Sequence, residues 1–95
     1  MDDKKVFKIS GTKFRKLKEL LEFITIGNYI LRINQREKAY DLVFVESGTF
    51  SSTEVFGQYN NHTNELEINI KKIDSFPEIV KLKIRQALSK IEIKI

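Results

Sequence analysis

The sequence predicts an α+β fold, a single domain over residues 1–95 with a mixed or antiparallel sheet of five to six strands and two helices, in the order β-α-β-β-β-β-α-β. Three observations predict it. Two segments repeat apolar residues every three or four positions, as a helix with one buried face does. Between them lie short alternating segments bounded by turn residues, as strands are. The chain has 95 residues, with no linker and no internal repeat, which is one domain's worth of core.

Val6-Phe7-Lys8-Ile9 alternates as a short strand, and Ser10-Gly11-Thr12 offers a turn with Thr12 as the helix cap. A helix is expected from Lys13 to Ile26, with Phe14, Leu17, Leu20, Leu21 and Ile24 on one stripe and Gly27-Asn28 as its stop. Tyr29 to Ile33 and Tyr40 to Val45 read as a hairpin joined through the polar run Asn34 to Lys38. The second of these strands is apolar on both faces near its end, which places it centrally. Ser47 to Ser52 is a hydroxyl-rich loop, in which Phe50 reads as a lid over the core or a partner contact. Thr53 to Tyr59 forms another strand with Gly57 as a candidate bulge, and Asn60 to Asn64 is a turn cluster. Leu66, Ile68 and Ile70 then alternate with polar residues as a half-buried strand. Ser75-Phe76-Pro77-Glu78 has the capping-box form, opening a helix whose stripe is Phe76, Ile79, Val80, Ile84, Ala87, Leu88 and Ile91. Ile91, Ile93 and Ile95 alternate with Glu92 and Lys94, so the tail reads as a final strand.

Composition excludes several functions. With no cysteine there is no disulfide scaffold, zinc ribbon, iron–sulfur cluster or thiol nucleophile. No apolar run has the length of a signal-peptide core or a membrane span, so a cytoplasmic location is expected. Net charge is +4 but uneven: residues 1–18 carry seven basic and two acidic side chains, 19–60 three and six, 61–95 seven and five. The excess at the N-terminal end suits a phosphate backbone or an acidic protein, though it is modest beside dedicated nucleic-acid binders. Thirteen lysines against four arginines, with abundant isoleucine and asparagine, is the usage of AT-rich genes of low-GC bacteria, their phages and some archaeal viruses, which bears on origin and not on activity.

Candidate chemistry is sparse. His62 is the only histidine and sits in a turn without the serine or aspartate of a triad. Glu65 and Glu67 share a strand face at a spacing compatible with a divalent cation, yet their alternation with core residues reads as a solvated face. Glu92-Ile93-Lys94 has the acidic-x-Lys spacing of metal-dependent nucleases, but neither Asp41 nor Asp74 supplies the required context. The 47–53 loop has no phosphate-cradle pattern. No catalytic residue, cofactor or metal is therefore assigned.

Two surfaces remain as binding candidates. Lys13, Arg15, Lys16 and Lys18 line one helix and suit phosphates along a nucleic-acid strand, unless Arg15–Glu19 and Lys18–Glu22 pair off at i,i+4. If both helices cover one sheet face, Phe7, Ile9, Leu31, Ile33, Leu42, Phe44, Leu66, Ile68 and Ile70 fill that core. The other face then carries Ile30, Val43, Val45 and Phe56 among Arg32, Asp41, Glu54, Gln58, Glu65 and Glu67, an apolar centre with a charged rim. If one helix crosses to each face, those residues are interior instead. The expectation is a non-enzymatic accessory or inhibitory protein that occupies a protein partner's surface or self-associates, with nucleic-acid binding through the basic helix as the alternative.

Overall fold

The structure, a computed structural model, describes residues 3–48 and 52–95. Its strands are β1 (Lys4–Lys8), β2 (Ile24–Ile26), β3 (Tyr29–Gln35), β4 (Ala39–Glu46), β5 (Ser52–Asn60) and β6 (Glu65–Asn69). Helix α1 (Gly11–Leu21) follows β1, while α2 (Ile70–Asp74) and α3 (Glu78–Lys90) follow β6. The six strands form one sheet in the order β1-β6-β5-β4-β3-β2, every pair antiparallel. Strands two to six are thus a meander, and β1 closes it by pairing with β6. The segment between β1 and β2 must therefore cross from one edge of the sheet to the other. Five inter-strand gaps span about 24 Å, and a helix the length of α1 covers about 16 Å. Ile9, Ser10, Glu22 and Phe23 at its two ends make up the rest.

Helices α1 and α3 pack side by side on one face of the sheet. Phe14, Leu17 and Leu21 of α1 and Val80, Ile84, Ala87 and Leu88 of α3 meet Leu31, Ile33, Leu42, Phe44, Leu66 and Ile68 from the strands. Every residue read from the sequence as inward-facing on a strand belongs to this core or packs against it, Phe7 and Ile70 partly exposed, though Ile70 does so as the first residue of α2 and not from a strand. Ile79 departs from its expected stripe: it is 42% exposed, because the buried arc of α3 is centred one residue later, on Val80 and Ile84.

The helix ends differ from the sequence reading. Ser10, not Thr12, caps α1, its Oγ accepting from the Lys13 N–H at 3.2 Å. The helix stops at Leu21, and Phe23 adopts φ +64°, reversing the chain into β2. Ile24 keeps its place against the core from a strand instead of a fourth helical turn, and Gly27, at φ +58°, makes the β2–β3 turn. The capping box does not form. Ser75 Oγ donates to the Lys72 carbonyl at 2.6 Å, closing α2, and α3 starts from the Pro77 carbonyl, which accepts from the Val80 and Lys81 N–H groups. Nor is the tail a strand. Glu92 at φ +68° lets the Ile93 N–H return to the Leu88 carbonyl, a helix-ending turn that buries Ile91 and Ile93.

One irregularity changes which face a residue sees. Leu42 pairs with Gly57 and Val43 with Val55, so Phe56 is an extra residue without a partner on β4. Such a bulge reverses strand alternation locally. Phe56 turns to the core beside Gly57, and Val55 to the opposite face. Phe56 is 1% exposed and meets Phe76 edge-on at 5.7 Å, so its expected place on the helix-free face is corrected. Gly57 permits this: a Cβ there would stand 3.0 Å from the Glu67 carbonyl oxygen and 3.1 Å from Ile68 Cδ1.

Candidate functional site

With both long helices on one side, alternation places Ile30, Arg32, Val43, Val45, Val55, Gln58 and Glu67 on the other. The register sets Arg32 opposite Val43 and Val43 opposite Val55, with Ile30 opposite Val45 in the next row. These apolar residues are contiguous over the three strands β3, β4 and β5. Val43 is 2% exposed yet lies outside the core cluster, Val55 is 38% exposed, and Ile30 and Val45 are half-buried. The polar row beside them runs Asn34, Asp41, Gln58 and Glu67 across the sheet and ends at the exposed Val6 on β1. Its charges are paired: Asp41 Oδ2 accepts from Arg36 Nε at 2.8 Å, and Glu67 meets Lys4 at 3.2 Å. Asp41 Oδ1 is buried without a partner.

The bulge leaves a groove of about 270 Å³ on this face, lined among others by Lys4, Val55, Gln58, Glu67 and Lys72. Lys72 Nζ donates to the Val55 carbonyl at 3.3 Å, where β6 no longer reaches β5.

The basic helix is used unevenly. Lys13 pairs with Glu92 at 3.4 Å, and Lys18 stands 5.5 Å from the centre of the Tyr40 ring. Neither Arg15–Glu19 nor Lys18–Glu22 is among the ion pairs of the described residues. Lys16 is exposed. Sequence spacing had no means of showing the cleft beside this helix, of about 240 Å³, into which Arg15, Lys18, Tyr40, Tyr59 and Asn61 converge. Its floor is aromatic: Phe14 stacks on Tyr59 at 4.1 Å and tilts against Tyr40 at 5.0 Å. The Tyr59 hydroxyl has one proton and two acceptors, the Ile9 carbonyl at 3.0 Å and Asn64 Oδ1 at 3.1 Å. Burial pushes its pKa up, and the bond to Ile9 makes it a structural group.

The remaining sequence candidates are scattered. His62 is exposed in a turn held by Asn60 Oδ1, which accepts from the His62 and Thr63 N–H groups. Glu65 and Glu67 lie across from Lys8 and Val6. Glu92 is at the end of α3 facing Lys13, and Asp74 faces Arg85 at 3.4 Å. No group of three acidic, histidine or cysteine side chains suited to a metal ion occurs among the described residues. Among them, too, no helix is long and apolar enough to cross a membrane. Phe50 lies outside the described residues.

The chain is thus an α+β protein, with a six-stranded antiparallel sheet carrying its helices on one side. No family model, curated protein or solved structure matches it.

Proposed function

We propose that the chain is a non-catalytic binding protein that docks the helix-free face of its sheet onto another protein. One observation carries this reading: Ile30, Val43, Val45 and Val55 form a contiguous apolar area on the three strands β3 to β5, with no part in the helix-packed core. An apolar centre inside a polar rim is the anatomy of a protein interface. The rim charges select the kind of partner. Lys4, Lys8, Arg32, Arg36 and Lys72 are interspersed with Asp41, Glu65 and Glu67, and Lys4 and Arg36 are already paired with carboxylates, so the rim carries both signs instead of the unbroken cationic track a phosphate backbone needs. A protein surface of mixed charge complements it.

Val45→Lys with Val55→Lys tests the reading, because both side chains are at least partly exposed and the substitutions leave the core alone. Sedimentation of the wild-type chain over a range of concentrations, and of its complex with a partner isolated by affinity capture, gives the two association states to compare. Loss of association in the variant, with an unchanged unfolding midpoint, supports docking through this face. Association that survives the double substitution overturns it.

A further inference from the structure

We propose that the cleft between α1 and the adjoining ends of β4 and β5 is a site for a nucleotide unit, with its phosphate held by Arg15 and Lys18 and its base laid on Tyr40. The cleft is on the helix side of the molecule, so this site is independent of docking through the opposite sheet face. Its volume of about 240 Å³ is below that of an enclosed ligand pocket, so such a unit would sit partly in the cleft and partly in solvent.

The charge arrangement points to an anion. Two cations line the cleft and no carboxylate does. Glutamates stand one helical turn from each, at 19 and 22, yet neither closes an ion pair with Arg15 or Lys18, whereas Lys13 on the same helix is taken by Glu92. A concave site with cations of one sign concentrates the field on whatever anion enters.

The aromatic arrangement points to a base. Tyr40 is half-buried and held against Phe14, so its ring is fixed in place, and the group above it is the Lys18 ammonium. When a phosphate draws Lys18 toward Arg15, that ring face opens. Stacking on a fixed aromatic ring with adjacent cations is how proteins hold unpaired bases without reading sequence. A base within a duplex is already stacked and does not reach the ring. The shared ligand chemistry is therefore a phosphate with an unpaired base, in a free mononucleotide or in a single strand.

Fluorescence anisotropy with a labelled single-stranded oligonucleotide of about 12 nucleotides, within the length such sites cover, tests the proposal on the full chain. Binding is expected at low salt, with a log–log salt slope of about −0.7 for the one phosphate neutralised in the cleft. Arg15→Gln with Lys18→Gln should bring that slope close to zero. Tyr40→Leu should weaken affinity about tenfold or more with the slope unchanged. Lys71→Gln, an exposed cation on α2, should change neither by a comparable amount. Displacement of the oligonucleotide by a mononucleotide identifies the free nucleotide as a sufficient ligand. Binding without displacement identifies the single strand. No binding of either ligand at low salt overturns the proposal, as does a slope that survives the Arg15 and Lys18 substitutions. A duplex bound as tightly as the single strand removes the role of Tyr40. If Tyr40→Leu fails to fold, the charge variants, at exposed Arg15 and half-buried Lys18 and neither in the core, still decide the outcome. The Val45→Lys, Val55→Lys protein should retain nucleotide binding, so the two functional readings fail separately.

Discussion

Truncating Phe56 to alanine should unfold the protein far more readily than truncating its neighbour Val55. The two residues are adjacent on β5, and only the bulge decides which is inside. Phe56 is 1% exposed, set edge-on to Phe76, which in turn lies 4.4 Å from Phe44. Removing a buried phenylalanine costs about 3–5 kcal/mol, transfer and cavity together. Domains of this size are stable by about 5–15 kcal/mol in total, so the variant should be marginal. At about 4–8 °C per kcal/mol, its thermal midpoint should fall by roughly 12–40 °C. Val55, 38% exposed on the other face, has less to lose, and Val55→Ala should cost about 1 kcal/mol or less. Urea unfolding followed by circular dichroism compares the two, with a constant m-value as the check that both variants unfold from the same fold. If Phe56→Ala costs no more than Val55→Ala, β4 and β5 pair without the slip, Phe56 faces outward, and the helix-free face must be redrawn with an aromatic at its centre.

Three further outcomes follow from local geometry. Gly57→Ala should destabilise by about 1–3 kcal/mol, measured by the same urea titration, because its Cβ would press on the Glu67 carbonyl of the adjacent strand at 3.0 Å. Phe23→Gly should raise the thermal midpoint: Phe23 is 73% exposed at φ +64°, so little burial is lost while about 1 kcal/mol of left-handed backbone strain is relieved. Tyr59→Phe should cost about 1–3 kcal/mol at neutral pH, since the buried Ile9 carbonyl loses its donor. The raised Tyr59 pKa has a definite sign: the folded state favours the neutral phenol, so its stabilisation is complete below the ordinary tyrosine pKa of 10.0 and is lost as pH rises through the higher folded value. Alkaline unfolding midpoints should accordingly fall less steeply with pH in Tyr59→Phe than in the wild type.

Patterns confined to one element were legible in the sequence. The alternation of Leu66 and Ile68 and the spacing of Phe14, Leu17 and Leu21 reflect strand and helix geometry alone, and each points these residues to the core the structure builds. The lysines of the first helix were equally visible, because charge needs no tertiary context to be counted. Where two elements compete for one pattern, the sequence misled. Ile24 continues the helical spacing of α1 as well as it suits a strand, and pairing with Leu31 on β3 decides for the strand. Ser75 has two possible hydrogen-bond partners, and the short α2 before it takes the hydroxyl.

The sequence by itself determined the class of fold, the identity of most of the core and the absence of cysteine chemistry, since these follow from composition and from the periods of single elements. Only the tertiary structure decided that both long helices share one face, that Phe56 is interior, and that Arg15, Lys18 and Tyr40 surround one cleft. The physical reason is common to all three. Each depends on contacts between segments far apart in the chain, and for Phe56 a single unpaired residue between Leu42–Gly57 and Val43–Val55 reverses the alternation from which its face would otherwise be read.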